Sequence, residues 1–204
     1  MNTLNLAPTT VFDLGHVLAE PANLYEPLAD LLGVPAAQLQ DVYYIHRHQY
    51  DMGLPDRDYW SRTVEELGVA VDLPALLDRL VAADVAGWSV IRPGAAGILE
   101  ELGARGVPVA ILSNAPCCFV QAFQHLPWRT LARQAFFSAS LGLAKPDPAI
   151  YRHVEVALGA DPRSLWFVDD RPENVAAAAE RGWQAHQWRG DADTRAWLAG
   201  AGIL

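Results

Sequence analysis

Strand-like and helix-like segments alternate along most of this chain, and that alternation limits the folds open to it more than any other feature. Short runs suited to strands lie at 10–12, 107–112, 135–138, 165–168 and 184–188, with helical patterns at 94–104, 117–125, 148–158 and 173–181. Strands that alternate with helices pack as a parallel sheet, because each crossover lays its helix on a sheet face. The expectation is an α/β fold, a Rossmann-like parallel sheet with helices on both faces, closed by a last helix at 191–198.

One stretch breaks the pattern. From 21 to 88 the chain reads as helices alone, at 24–32, 36–51, 56–67 and 73–86, separated by Gly33-Val34-Pro35, Gly53-Leu54-Pro55 and Gly68. Glycine and proline at those places are ordinary helix punctuation. An all-helical segment placed after the first strand of an α/β core reads as an inserted small α-helical cap. The chain then divides into a core of 1–20 and 89–204 and a cap of 21–88. Its 204 residues suffice for one buried domain with such an insertion.

Fifteen basic residues against twenty-four acidic ones give a net charge of −9. That balance argues against nucleic acid or an anionic membrane as partner, since no basic stripe offsets the field. No window approaches the roughly 20 apolar residues that span a bilayer. The first residues lack a basic region followed by an apolar core, so they do not read as a signal peptide. Cys117 and Cys118 are sequence neighbours and build no disulfide framework. A reduced, cytoplasmic protein, monomer or homodimer, is the expectation.

In an open parallel sheet, ligands bind beyond the carboxyl ends of the strands. The informative residues are therefore the polar ones that end the apolar runs: Asp13 after the first, Ser113 and Asn114 after the second, Asp169 and Asp170 after the fourth. The loop SASLGLAKPDP, which follows the third, adds Lys145. Each has an ordinary explanation as a turn, cap or solvated loop residue. The acidic pair is harder to explain that way, because adjacent like charges repel. Two or three hard oxygen ligands suit Mg²⁺, which binds beside phosphate groups and keeps several waters. Arg171 could offset the pair in part.

Four stretches carry these residues: VFDLGHVL, VAILSNA, GLAKPDPAIY and LWFVDDRPENVAAAAERGW. In this order they resemble the motifs of the haloacid dehalogenase superfamily of hydrolases, and within it the phosphatases with a helical cap. The resemblance spans essentially the whole chain. The FDLG form of the first motif is similar to bacterial sugar-phosphate phosphatases such as alpha-glucose-1-phosphate phosphatase.

The resemblance implies a chemistry. Asp13 would attack phosphorus in line to give an aspartyl-phosphate that water then hydrolyses. Mg²⁺ would be held by Asp13, the Gly15 carbonyl and Asp170, with Asp169 reaching it through water. Ser113, the Asn114 backbone N–H and Lys145 would bind the phosphoryl oxygens of a small phosphorylated metabolite, with His16 also near the substrate. Asn174 either braces the metal loop or simply starts a helix after Pro172.

Gly15 departs from the pattern. Phosphatases of this superfamily carry a second Asp there, which protonates the leaving group and later activates water. Its absence predicts a preference for leaving groups that need little protonation. His16 is the candidate stand-in, and a cap residue or a water is the remaining proton source. The same absence opens two alternatives, a 2-haloacid dehalogenase and a catalytically silent phospho-ligand binding protein. Dehalogenases of the superfamily work without metal and carry Ser-Asn in place of Asp169-Asp170. Retention of the other motif residues argues against a silent protein.

The cap stretch YYIHRHQY bears on the substrate. On a helix Tyr43, Arg47 and Tyr50 share one face while Tyr44 and His48 share another. An amphipathic cap helix accounts for this, and contact of some of these residues with a polar leaving group is the alternative. His46 and His48 are two apart and would diverge, which argues against a zinc pair. Trp60 and Trp88 read as packing residues of the cap and its hinge.

Overall fold

The structure, a computed structural model, describes residues 7–204. Five strands form one parallel sheet: β1 (Thr9–Phe12), β2 (Val109–Ser113), β3 (Gln134–Phe137), β4 (Leu165–Asp169) and β5 (Gln184–Gln187). Their spatial order is β3-β2-β1-β4-β5, with every pair parallel. The three central strands are almost wholly buried, while β5 reads Gln-Ala-His-Gln and stays partly exposed at one edge. That contrast follows from position, since central strands of a parallel sheet are covered on both faces and edge strands are not.

Successive strand residues point to opposite faces. Phe12, Val109, Ile111 and Val168 join one apolar cluster, with Ile98, Leu99 and Leu102 of the helix Pro93–Ala104. Val11, Ala110, Leu112 and Phe167 join the other, with Ile150, Tyr151 and Val154 of the helix Pro148–Leu158. The latter helix has explicit start and stop signals. Asp147 accepts a hydrogen bond from the Ala149 N–H at 2.8 Å, Pro148 is its first residue, and Gly159 ends it at φ 59°.

Between β1 and the Pro93 helix lie five helices: α1 (Tyr25–Leu32), α2 (Ala36–Tyr43), α3 (Arg47–Asp51), α4 (Asp56–Leu67) and α5 (Leu73–Trp88). The remaining helices are α6 (Pro93–Ala104), α7 (Cys117–Phe123), α8 (Ser138–Leu141), α9 (Pro148–Leu158), α10 (Pro172–Glu180) and α11 (Asp191–Gly200). The cap is apolar on its inner side, and its core is continuous with one face of the sheet: Leu28, Leu39 and Tyr43 belong to the same cluster as Phe12 and Ile111. The two chain connections to the cap are pinned together. Ala19 bridges Ile91, and the Arg92 N–H donates to the Leu18 carbonyl at 2.9 Å.

The expected helix at 36–51 is two helices. Its apolar periodicity continues, but the chain turns through Tyr44-Ile45-His46 with the Ile45 and Arg47 N–H groups bonded three residues back. At the break the Tyr59 hydroxyl donates to the Tyr43 carbonyl at 2.7 Å and so satisfies the acceptor that an uninterrupted helix would offer to the Arg47 N–H. The other expected elements are present, with ends shifted by one or two residues.

Candidate active site

The sheet order explains why distant residues meet. From β1 the chain steps outward through β2 to β3, then returns to place β4 on the other side of β1. A crevice forms where the direction reverses, beyond the carboxyl ends of β1 and β4. Asp13 leaves β1 at that point, and Asp169 and Asp170 leave β4 beside it. Suitable carboxylate oxygens of the three lie within 4.8 Å of one another.

The crevice opens into a cavity of about 490 Å³, within the range of small-molecule sites. Asp13, Gly15, His16, Ser113, Asn114, Lys145 and Asp170 all line it. Asp169 lies beneath the wall, fully buried, and its oxygens are occupied. Oδ2 accepts from Lys145 Nζ at 2.6 Å, while Oδ1 accepts from the Arg171 N–H and from Asn174 Nδ2, both at 2.9 Å. Asn174 is thus a brace as well as a first-turn helix residue.

Lys145 Nζ also lies 2.7 Å from Asp13 Oδ1, which accepts the Leu14 N–H at 2.7 Å. Burial pulls the Lys145 ammonium down, but Asp13 and Asp169 more than offset it, and the amine is held above its ordinary value. Burial pushes the Asp13 carboxyl up to about 7, Lys145 opposes this, and Asp169 adds to it. The close ammonium is the compensation that lets a buried carboxylate stay ionised. The Lys145 backbone is fixed in turn by the Asn114 side chain through two hydrogen bonds of 2.9 Å.

The loop after β1 is tightly folded. The Leu18 and Ala19 N–H groups both donate to the Leu14 carbonyl at 2.8 Å, and His16 takes a left-handed φ of 59°. A histidine there is uncommon, since a side chain crowds its own backbone at positive φ. The His16 ring meets Trp88 edge-on at 5.3 Å, with Nδ1 3.4 Å from Glu20 Oε1. A Cβ on Gly15 would make an ordinary contact with the Trp88 ring at 3.5 Å.

The cap closes the cavity with Tyr44, Arg47, His48, Asp51 and Trp88. The two expected faces survive the helix break. Tyr43 and Tyr50 are buried, and the Arg47 guanidinium lies over their rings at 5.1 and 5.3 Å. Arg47 pairs with Asp84 of α5 at 3.0 Å and with Asp51 at 3.0 Å. Trp60 is packing alone, whereas Trp88 both packs and lines the cavity, its Nε1 donating to the Tyr43 hydroxyl at 3.1 Å. Asp51 was not legible as a site residue. Its one sequence signal is the four-residue spacing from Arg47, which puts an opposite charge on the same helix surface.

A family model of haloacid dehalogenase-like hydrolases matches residues 9–182. The (S)-2-haloacid dehalogenase 4A of Burkholderia cepacia is 32% identical over 186 residues, 85% of this chain and 76% of that protein. A sesquiterpene phosphatase of Aspergillus oryzae is 30% identical over 178 residues, 82% of this chain and 83% of that one. The fold matches the crystal structure of a HAD family enzyme from Bacteroides thetaiotaomicron in complex with magnesium and inorganic phosphate. The TM-score is 0.66 at 21% identity, covering 89% of this chain and 93% of that one. With its four motifs gathered at the switch point of the sheet and the family model spanning most of its length, this chain belongs to the haloacid dehalogenase-like hydrolases.

Proposed function

We propose that this hydrolase is a Mg²⁺-dependent phosphatase of a small phosphomonoester, a sugar phosphate or similar metabolite, acting through an aspartyl-phosphate on Asp13. The observation that carries the reading is the placement of Asp13 between the Lys145 ammonium and the Asp170 carboxylate in one cavity. The donor set fits Mg²⁺: three carboxylates within reach of one another, with hard oxygen ligands. Asp13 and Asp170 would hold the ion with the Gly15 carbonyl, and Asp169, occupied by three donors, would act through water. When bound, the ion supplies charge neutralisation at the phosphoryl oxygens. Lys145, Ser113 and the Asn114 N–H bind those oxygens, and this fixed arrangement of charge is the main requirement of phosphoryl transfer. Two free cysteines support a reduced, cytoplasmic setting, and no helix among the described residues is long and apolar enough to cross a membrane.

The dehalogenase relative keeps a second reading open, in which Asp13 displaces halide from a 2-haloacid. The acidic pair weighs against it, since halide departure needs neither a divalent ion nor its ligands. Phosphate release from aryl phosphates with and without Mg²⁺, beside halide release from 2-chloropropionate, separates the two. The phosphatase reading expects Mg²⁺-dependent phosphate release, reduced to a few per cent or less by Asp13→Asn. The amide keeps the carboxylate's shape but cannot attack phosphorus. Halide release without phosphate release overturns the reading.

A further inference from the structure

Attack by Asp13 from the end of β1 drives the leaving oxygen away from the sheet, because attacking and leaving oxygens lie in line through phosphorus. The leaving group therefore emerges towards the cap. Gly15 has no side chain and offers no proton there. His16 offers little more: its imidazole is 46% exposed, with Nδ1 turned to Glu20 and its edge against Trp88.

Asp51 lies on the cap wall of the same cavity, at the end of α3. Its backbone is anchored to the core, where the Ser138 hydroxyl at the start of α8 donates to the Asp51 carbonyl and accepts the Ala115 N–H at 3.0 Å. Its side chain accepts from Arg47 Nε at 3.0 Å. Arg47 is itself held by Asp84 and enclosed by Tyr43, Tyr50 and Tyr59. This is a positioned carboxyl backed by a fixed cation, facing a site that lacks its acid.

We propose that Asp51 is the acid–base residue of the reaction, donating a proton to the leaving oxygen and recovering one from the hydrolytic water. The inference rests on the phosphatase reading. In the first step an Asp13 oxygen bonds to phosphorus, the bond to the leaving oxygen breaks with its electron pair, and that oxygen takes the Asp51 proton. In the second a water oxygen bonds to phosphorus, its proton passes to the Asp51 carboxylate, and the Asp13 oxygen leaves with its pair. Both groups end as they began. Arg47 stabilises the carboxylate between the steps.

The charged and titratable groups around Asp51 include Arg47 on its own helix, Tyr44 before it, Tyr59 from α4, Asp84 from α5 and Asp13 from beyond β1. Burial pushes its carboxyl up to about 7, Arg47 opposes this, and Asp84 reinforces it. A donor poised near neutrality suits general acid catalysis. It carries its proton below that value, so kcat on poor leaving groups falls as pH rises through it.

The test is kcat/KM with Mg²⁺ across phosphate esters from p-nitrophenyl to primary alkyl. Wild type should depend weakly on leaving-group pKa, contrary to the preference that the missing acid at Gly15 predicts by itself, and His16→Gln should keep that weak dependence whatever its kcat. Asp51→Asn should lose about 10²–10⁴-fold on alkyl esters and stay within about tenfold on p-nitrophenyl phosphate. Asp51→Glu, which keeps a carboxyl if the Asn variant folds poorly, should retain a weak dependence at lower kcat. An equal loss across the series in Asp51→Asn, a steep dependence in wild type or Asp51→Glu, or one that becomes steep only in His16→Gln overturns the assignment. Wild type that releases no phosphate from any ester overturns the phosphatase reading with it.

Discussion

Asn114 and Lys145, 31 residues apart, hold each other by a reciprocal pair of hydrogen bonds. Asn114 Nδ2 donates to the Lys145 carbonyl and the Lys145 N–H donates to Asn114 Oδ1, each at 2.9 Å. The loop after β2 thereby sets where the loop after β3 places its ammonium. Asn114→Ala removes both bonds and leaves the Lys145 backbone groups without them. The expected cost is about 1–3 kcal/mol of stability, read by denaturant unfolding. A lower kcat/KM on any phosphate ester should accompany it, as Lys145 loses its fixed position.

Asp169 and Asp170 should separate in kind. Asp170→Asn removes a carboxylate at the cavity and should raise the Mg²⁺ concentration for half-activity with little change in melting temperature. Asp169→Asn weakens one of the two carboxylate partners of a buried ammonium, and loss of a hydrogen bond between charged groups costs about 1.5–3 kcal/mol. Its signature is lower stability first. Metal titrations and melting curves of the two variants check this, and a larger metal effect in Asp169→Asn would reverse the assignment of direct and water-mediated ligands.

Asp84 has no place in the cavity wall, yet it should be among the costliest cap residues to change. Asp84→Ala leaves the Arg47 guanidinium with Asp51 as its remaining carboxylate and removes an acceptor of the Tyr43 hydroxyl. The expected loss is about 3–5 kcal/mol, measurable by urea denaturation.

Gly15 tolerates a methyl group. Its φ is not left-handed, and a Cβ would make an ordinary contact with Trp88 at 3.5 Å. Gly15→Ala should stabilise the fold by about 0.4–1 kcal/mol by restricting the unfolded chain. A melting temperature that rises in Gly15→Ala checks this.

The α/β alternation, the inserted helices and the polar ends of three strands were all legible in the sequence, because each is a local pattern. Apolar runs report burial on both sheet faces, and a strand's last residue is known once its run is known. Asp13, Ser113, Asn114, Asp169 and Asp170 could be named this way, and Lys145 by the loop motif after the third run. Tertiary structure decided what those patterns leave open. A periodic helix ends at Tyr43, where the Tyr59 hydroxyl bonds to the freed carbonyl, a contact between residues sixteen apart that no local pattern records. Trp88 lies against Gly15, and Asp51 shares a cavity with Asp13, only because the cap folds back over the sheet. Sequence fixes which groups end each element; the packing of one element on another fixes which of them share a site.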